Sequence, residues 1–377
     1  MKQEVYFETG VIHSLGDVLR RKSPENIFLV TGKTSYTSSG AEAILTKLLQ
    51  PYQVHRFCEF ESNPKVRDVE RGLAQFQQRK QDVIIAVGGG GVIDLAKLIR
   101  IVAAQTAPSL DAILQSESIL MPGVPLIVIP TTAGSGSEAT HFAVVYKDHV
   151  KYSVAHEYVL PDVSFIDPNL TNSMSARLTA VTGMDALSQA VESYWCVNST
   201  DCSKSYAAEA ICLILSNLEK AVREPSSDER YAMCKASHLA GRAIDISKTT
   251  APHAVSYSLT SFLDVPHGHA VSLTLGEFFV YNSQVSEGDV MDSRGADYVR
   301  GAMGDLNKLL GVDHASAART LLSNLMRKIG LETRLSELGI SKDGHDLILD
   351  NVNIERLLNN PRRLTREHLD ALLNNIA

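Results

Sequence analysis

The feature that most restricts the fold of this chain is the segment VIIAVGGGGVIDLAKLIR, residues 83–100. It begins with a nearly continuous apolar run, Asp82 to Val87, which predicts a strand buried on both faces of a sheet. Four glycines, Gly88 to Gly91, lead from this strand into a helix. Glycines allow a backbone to approach a phosphate closely, and the first turn of a helix offers free N–H groups. The segment therefore predicts a parallel sheet with a nucleotide pyrophosphate at this turn.

An alternative for this segment is a tight strand–helix turn that holds no ligand. The glycines do not form the GxGxxG fingerprint of a standard Rossmann fold. Four consecutive glycines nevertheless cost a simple turn much backbone entropy, which favours the phosphate-binding interpretation. Asp94, in the first turn of the helix, is expected to cap the glycine turn or to hydrogen-bond to it.

A second loop, IPTTAGSGSEAT at residues 129–140, follows another buried strand. Its hydroxyl groups and free amides could hold the phosphate or ribose of a cofactor, and the candidates are Thr131, Thr132 and Ser135. A loop rich in glycine and serine is more often only a loop, so this pattern is weak by itself.

Strand-like and helix-like runs alternate along the first part of the chain, whereas helical patterns dominate after about residue 168. Strands are predicted at 26–31, 53–57, 82–87 and 125–129, and helices at 39–49, 66–78, 176–195, 203–223, 228–246, 297–310 and 315–329. We therefore predict an α/β dinucleotide-binding domain over 1–168 and an all-helical metal-binding domain over 169–377. A cleft between two such domains is the default place for a ligand.

The composition excludes several classes of protein. A net charge of −7 gives no sign of a nucleic-acid surface or of a polybasic membrane patch. The five cysteines form no CxxC pair, so neither a disulfide framework nor a cysteine zinc site is expected. The start, MKQEVYFETG, has no apolar core of a signal peptide, and no run of about 18 apolar residues exists. A soluble, cytoplasmic enzyme or binding protein is expected, with no nucleic-acid or membrane partner.

The segment GMDALSQAVESYW, residues 183–195, poses a question about metal binding. It has the pattern of an amphipathic helix, in which Asp185 and Gln189, four residues apart, fall on one face. A histidine at position 189 would complete an obvious pair of metal ligands, but the residue is glutamine. The segment is either a metal site with one altered ligand or a helix with an ordinary polar face.

Three histidines, His253, His267 and His269, lie within residues 249–273, and His267 stands in a Pro-His-Gly turn. Neutral imidazoles together with a carboxylate suit zinc or iron(II), and Asp185 could supply that carboxylate. Each histidine alone is more often a satisfied polar residue than a ligand. Because the three histidines are clustered, a metal site and a set of satisfied polar residues are equally favoured interpretations.

The glycine turn, PTTAGSGSE, GMDAL and HAVSYSLTSFLDVPHGHA occur in the order seen in the iron-containing (group III) alcohol dehydrogenases. The chain resembles this family over nearly its whole length. The resemblance implies a dehydroquinate synthase-like architecture with a divalent metal, Fe²⁺ or Zn²⁺, in the cleft between an α/β and a helical domain. It also implies NAD(H) or NADP(H) as the hydride carrier, and a small aldehyde or alcohol as substrate.

The family's motif GGGSxxDxAK resembles Gly88 to Lys97, with Gly91 in place of the serine. The resemblance thus adds Lys97 to the residues expected to bind the cofactor, which are Gly88, Gly89, Gly90, Gly91, Asp94, Thr131, Thr132 and Ser135.

The family's metal ligands are an aspartate, a histidine four residues later, and two further histidines fourteen residues apart. Asp185, His253 and His267 match three of these positions, and Gln189 occupies the second. An amide oxygen is neutral and binds a divalent cation more weakly than imidazole does. We favour a three-ligand site with Gln189 as a weak fourth ligand or close neighbour. The alternatives are that His269 fills the vacant position or that the site is inactive.

SQAVESYWCVNST, TTAPHAVSYSLTSF and VPHGHAVSLTLG resemble the branch of the family described as phosphonoacetaldehyde reductases (hydroxyethylphosphonate dehydrogenases). Arg242 and Lys248 stand where generic relatives tend to have an apolar residue and a glycine, and an anionic substrate would need such cations. Lys151 and His156 are further candidates for binding the substrate. The alternative is that these are solvated surface charges.

The first predicted strand ends at Gly32-Lys33, a position where NAD-preferring relatives often have an aspartate for the ribose hydroxyls. Glycine leaves space for a 2′-phosphate and Lys33 can contact it, so NADPH is expected to be accepted at least as well as NADH. A simple turn at the end of the strand is the alternative.

The resemblance implies hydride transfer between nicotinamide and a carbonyl polarised by the metal, with Tyr257 and His269 as candidates for the proton relay. Many relatives have a histidine at position 257. A homodimer is expected. Competing hypotheses are an alcohol dehydrogenase of another small alcohol, a dehydroquinate synthase-like lyase, and a non-catalytic nucleotide-binding protein.

Overall fold

The computed structural model describes residues 3–61, 63–105, 113, 119–147, 150–352 and 357–377. The chain divides into two compact units, Met1–Met174 and Ser175–Ala377. The first unit is built around a parallel sheet and the second is built from helices, so the predicted fold class is confirmed. No helix in the described part of the chain is long and apolar enough to cross a membrane.

The first unit has a six-stranded parallel sheet in the order β1-β8-β5-β4-β2-β3 and a separate two-stranded sheet of β6 and β7. The strands are β1 Glu4–Phe7, β2 Asn26–Thr31, β3 Gln53–Phe57, β4 Val83–Gly88, β5 Leu126–Pro130, β6 Phe142–Lys147, β7 Val150–Ala155 and β8 Val163–Ile166. The α-helices assigned among the described residues of this unit are α1 Leu15–Lys22, α2 Ser35–Ser38, α3 Ala41–Leu48, α4 Val66–Phe76 and α5 Gly90–Ala104. All four predicted strands are present within a residue of their expected bounds.

Strand β4 is buried on both faces, as its apolar sequence predicts. Ile84 and Ala86 belong to a core that includes residues of α4 and α5, whereas Ile85 and Val87 belong to a second core that includes residues of α1 and α3. Successive side chains of a strand point to opposite faces, so one apolar run fills both cores. This burial fixes the end of β4, and with it the glycine turn.

The antiparallel pair of β6 and β7 is not among the predicted elements. Its residues, FAVVYK and VKYSVA, mix apolar and charged positions, and their burial alternates only in part. A short two-stranded ribbon of this kind needs tertiary packing for stability, so its sequence signal is weak.

The second unit contains nine further helices among its described residues. They are α6 Ala176–Trp195, α7 Asp201–Arg223, α8 Ser227–Ser247, α9 Ala251–Leu263, α10 His267–Ser283, α11 Ala296–Leu309, α12 Ala315–Lys328, α13 Lys342–Asp350 and α14 Arg366–Asn374. The five helices predicted here are all present, with bounds within two residues of expectation.

Helix α6 differs from its prediction as an amphipathic helix. It is buried nearly all round from Thr179 to Trp195, because α7, α8 and α10 pack against it. A helix inside a bundle has no solvated face. Its polar residues, Asp185 and Gln189 among them, therefore lie in the interior, and the interpretation of an ordinary polar face is wrong.

Two other local predictions need correction. His267 does not stand in a turn, because it is the first residue of α10 and follows Pro266 as the residue before the helix. The helix predicted at 39–49 is shorter, because α3 runs from Ala41 to Leu48 after a separate short helix, and Gly40, with φ of 82°, is the residue before α3. A residue with positive φ breaks a helix, and glycine takes that conformation readily.

Candidate metal centre and cofactor site

The glycine turn and the second loop meet in the first unit. A Cβ atom placed on Gly90 would lie 2.6 Å from Ser135 Oγ, and one on Gly89 would lie 3.3 Å from Thr132 Oγ1. The backbone N–H of Thr131 donates to the carbonyl of Gly88 at 3.0 Å. Glycine is therefore needed for the close packing of the two loops, and the free N–H groups of the first turn of α5 lie beside hydroxyl groups. This arrangement suits a phosphate.

Asp94 and Lys97 hold the second loop in place. The buried ammonium of Lys97 donates to the carbonyls of Ser137, Thr140 and Phe142, at 2.7, 2.9 and 2.6 Å. Asp94 accepts from Ser137 Oγ and from the N–H of Val144. Burial raises the pKa of Asp94, and the nearby Lys97 opposes that shift. Both side chains thus build the loop, and their direct contact with a cofactor stays a prediction.

Gly32 follows the end of β2 and donates its N–H to the carbonyl of Val87 in β4, at 3.3 Å. Lys33 is exposed. A Cβ atom on Gly32 would lie 2.2 Å from Ser35 Oγ, which is the movable end of a short side chain. The two adjacent parallel strands thus bring Gly32 close to the glycine turn at one edge of the sheet.

Asp185, His253 and His267 form a compact group in the second unit, in which the candidate ligand atoms all lie within 4.8 Å of one another. Asp185 Oδ1 lies 3.6 Å from His253 Nε2, and it is buried and accepts no hydrogen bond within the described part of the chain. Burying a carboxylate oxygen without a hydrogen-bond donor costs free energy, unless a cation binds that oxygen. One carboxylate and two imidazoles are the ligands that Zn²⁺ and Fe²⁺ take, so these residues fit a divalent ion.

Glu192 is a candidate site residue that the sequence did not predict. Its fully buried carboxylate contacts Nδ1 of His253 and accepts from the N–H and the hydroxyl of Thr250, at 2.7 and 2.9 Å. A carboxylate at Nδ1 leaves Nε2 of the same ring free to bind a metal. The sequence offers one indication of this residue, because Glu192 lies three residues after Gln189 and therefore on the same side of the helix.

Two carboxylates give this group a negative field. Burial alone would lower the pKa of His253, but Glu192 and Asp185 outweigh it and raise that pKa to about 10. The same field favours a bound cation in place of the proton.

Gly268 allows α10 to start against α6. A Cβ atom at this position would lie 2.1 Å from the carbonyl oxygen of Val181 and 2.8 Å from Cβ of Asp185. Only glycine permits so close an approach of two backbones. The neighbouring His267 is thereby brought to Asp185.

The remaining residues predicted near the metal divide into two sets. Gln189 is buried one turn after Asp185. The rings of Tyr257 and His267 are stacked, with their centroids 6.2 Å apart. His269 is elsewhere, since its Nε2 lies 2.8 Å from the carbonyl of Glu332 and its Nδ1 lies 3.4 Å from Arg177. The geometry thus places Gln189 and Tyr257 beside the group and gives His269 partners of its own.

The four predicted substrate residues are divided between the two units, with Lys151 and His156 in the first and Arg242 and Lys248 in the second. Arg242 donates to the hydroxyl of Tyr206 at 3.0 Å, and Lys248 is exposed at the end of α8. Lys151 is in β7, and His156 accepts from the N–H of Tyr158 through Nδ1. Their role in substrate binding stays a prediction.

A sheet that ends in a phosphate-sized glycine turn and a helical unit with a buried carboxylate–imidazole group are features of metal-assisted, nucleotide-dependent enzymes. Models of the iron-containing alcohol dehydrogenase family and of its C-terminal domain match residues 2–168 and 179–377. The chain belongs to the iron-containing alcohol dehydrogenase family, as the sequence resemblance predicted. It is an oxidoreductase of that family, whose members need a divalent metal and NAD(H).

Among similar proteins, the phosphonoacetaldehyde reductase of Streptomyces viridochromogenes is 35% identical over 82% of this chain and 80% of its own length. Long-chain-alcohol dehydrogenase 1 of Geobacillus thermodenitrificans is 31% identical over 93% of this chain and 88% of its own. The crystal structure of sulfoacetaldehyde reductase from Bifidobacterium kashiwanohense in complex with NAD⁺ superposes with a TM-score of 0.86 at 30% identity, covering 100% of this chain and 97% of that one.

We expect the purified protein to hold about one divalent ion per chain, zinc or iron(II), because three ligands converge. His267→Ala should remove most metal and most activity, and Gln189→His should tighten metal binding by adding an imidazole. Metal content and competition with a chelator measure both effects. Full activity of metal-stripped protein would refute the site, and unchanged affinity in Gln189→His would place residue 189 outside the coordination sphere.

We expect Gly268→Ala to lower metal affinity although no ligand is changed. The added methyl group meets the backbone of Val181, so α10 must shift at His267, at a cost of about 1–3 kcal/mol in unfolding free energy. The matched control is Gly304→Ala in α11, where a Cβ atom meets nothing within 4 Å and alanine favours the helix. Metal content and thermal unfolding are measured for both, and equal metal content would contradict the proposed packing.

Proposed function

We propose that this protein reduces a short aldehyde that carries a phosphonate group, phosphonoacetaldehyde, to 2-hydroxyethylphosphonate. The observation that carries the proposal is the 35% identity to a phosphonoacetaldehyde reductase over 82% of the chain. The sulfoacetaldehyde reductase among the similar structures supports it, because its named substrate is also a two-carbon aldehyde with an anionic tetrahedral group.

In this proposal Asp185, His253 and His267 hold the divalent ion, and Glu192 keeps the His253 ring in the orientation for binding. When bound, the ion polarises the aldehyde oxygen and the nicotinamide supplies the hydride. The glycine turn and the loop of Thr131, Thr132 and Ser135 hold the pyrophosphate of the cofactor. Tyr257, beside His267, is the remaining relay candidate near the group.

Lys248 supports a role for charge in substrate choice. Its backbone has φ of 70° and ψ of 177°, a conformation that is nearly restricted to glycine. A lysine there costs about 1–3 kcal/mol relative to an unstrained residue. The chain tolerates this strain at the exposed end of α8, five residues before His253, which is consistent with a function for the ammonium group.

A second candidate function is the oxidation or reduction of an uncharged alcohol or aldehyde, as the name of the Geobacillus relative suggests for that protein. The position of Arg242 favours this candidate, because its guanidinium is already engaged by Tyr206. A dehydroquinate synthase-like lyase is distinguished by net turnover of the cofactor, since such lyases regenerate it. We also propose a homodimer and a cytoplasmic location, the latter supported by five free cysteines.

We expect phosphonoacetaldehyde to be reduced with higher kcat/KM than sulfoacetaldehyde, and both to be better substrates than propanal. Lys248→Gly should raise the unfolding free energy by about 1 kcal/mol by relieving strain. The same change should lower kcat/KM for phosphonoacetaldehyde about ten- to a hundredfold, the effect of losing one charge-assisted contact. Arg242→Ala should also reduce it, and propanal should be affected much less.

The matched control for these variants is Lys235→Ala, which removes a partly exposed cation from α8, the helix that also carries Arg242, where the ammonium pairs with Glu209 of α7. It should leave all three substrates unaffected. The proposed substrate fails if propanal is the better substrate, or if Lys248→Gly and Arg242→Ala slow charged and neutral aldehydes equally. The enzyme would then be a dehydrogenase of uncharged alcohols.

We propose that NADPH is used at least as well as NADH, because Gly32 presents no carboxylate to a 2′-phosphate and the exposed Lys33 can pair with it. Gly32→Asp should lower kcat/KM with NADPH about tenfold or more and spare NADH. Lys22→Ala, an exposed cation at the end of α1, is a control that should change neither. A clear preference for NADH, with Gly32→Asp neutral, would contradict this.

A further inference from the structure

The second unit contains a pocket whose lining includes none of the candidate metal, cofactor or substrate residues named above. It has a volume of ≈ 340 Å³ and lies between α10, α12, the segment around Thr333 and Arg334, and residues 375–376. This volume lies in the range of sites for small organic molecules. The pocket, named here the α10–α12 pocket, therefore has room for more than a single ion.

The charged side chains around the α10–α12 pocket are mostly cationic. Arg319, Arg327 and Arg334 line it, and Glu277 is the one acidic residue among the described lining residues. Glu277 is buried and bound by Arg319 at 3.2 Å and by Asn375 at 2.8 Å, so its charge is used to fix the guanidinium of Arg319.

The other two arginines have donors to offer. Arg327 makes no side-chain hydrogen bond or ion pair with any residue that the structure describes, and Arg334 donates one N–H to the main-chain oxygen of Ala377 at 3.1 Å. Glu337 is a further acid next to these residues, and hydrogen bonds from the N–H groups of Thr333 and Arg334, together with the charge of Arg327, lower its pKa. A lining of three guanidinium groups against one carboxylate leaves an excess of positive charge.

The uncharged lining residues narrow the chemistry of the occupant. Hydroxyls of Ser272, Ser323 and Thr320 lie beside the arginines, while Leu322, Met326 and Ile376 supply an apolar surface. The hydroxyls of Ser272 and Thr320 donate to the backbone carbonyls of His269 and Ser316, so the guanidinium groups are the main donors for an occupant. A guanidinium pairs with carboxylate and phosphate alike, but several guanidinium groups on separate residues can serve the three terminal oxygens of a phosphate monoester, whereas a carboxylate has two. The apolar surface can pack against a carbon skeleton.

We propose that the α10–α12 pocket binds a small phosphate monoester. Arg327 and Arg334 contact the phosphate oxygens, and the fixed Arg319 completes the cationic wall. This site is separate from the metal group and goes beyond the proposed function, so either proposal can fail without the other.

The test is calorimetric titration of glycerol 3-phosphate into metal-loaded enzyme saturated with NADPH. One molecule should bind per chain, inorganic phosphate should displace it, and malonate should compete poorly. Arg327→Ala should weaken binding about ten- to a hundredfold, because a charge-assisted contact is lost. Its turnover of propanal should stay unchanged, since Arg327 contacts neither metal nor cofactor residues.

The matched control is Lys328→Ala, which removes the same charge from the next residue of α12, where the ammonium pairs with Glu219 outside the pocket. It should leave the affinity for glycerol 3-phosphate unchanged. Absence of binding at millimolar concentration overturns the proposal. Equal weakening by both variants also does so, because it indicates a general charge effect. Weakening by Lys248→Gly but not by Arg327→Ala would assign the anion to the substrate site and overturn it as well.

Discussion

The contact between Glu192 and His253 is the interaction on which the candidate metal site depends. A carboxylate that is fully buried must be satisfied, and here the imidazole of α9 and the N–H and hydroxyl of Thr250 satisfy it. The same contacts join α6 to the start of α9. Because α6 is packed on all sides, the carboxylate that orients the ring has little freedom to move, and the ring keeps its second nitrogen toward Asp185.

The first unit also contains a buried charged group that is satisfied by another segment, but here the group is a cation. The buried ammonium of Lys97 is satisfied by three backbone carbonyls of the second loop. An uncompensated buried charge would be costly, so the loop is held where those carbonyls surround the ammonium. In both units, a buried charged side chain satisfied by backbone or side-chain partners from another segment positions the candidate ligand-binding groups.

Much of the fold could be predicted from apolar periodicity alone. The β-branched run of β4 and the helical spacing of α7, α8, α11 and α12 leave few other ways to bury their apolar residues. The ribbon of β6 and β7 could not be predicted, because its burial alternates only partly. Helices α9 and α10 were not predicted because both are buried on nearly every side, polar residues included, which removes the periodic alternation of apolar and polar positions.

The sequence by itself determined the family, the parallel sheet and the residue types of the candidate site, because motif order and local periodicity are properties of the chain. Only the tertiary structure decided which residues meet. Asp185 and His267 are 82 residues apart in the sequence, and Gly268 is what lets their helices touch. Glu192 contacts His253 only because α9 packs next to α6. His269 is two residues from His267 in the sequence, but it contacts the carbonyl of Glu332 instead. A helix turns about 100° per residue, so neighbours in sequence face different partners, and packing selects among them.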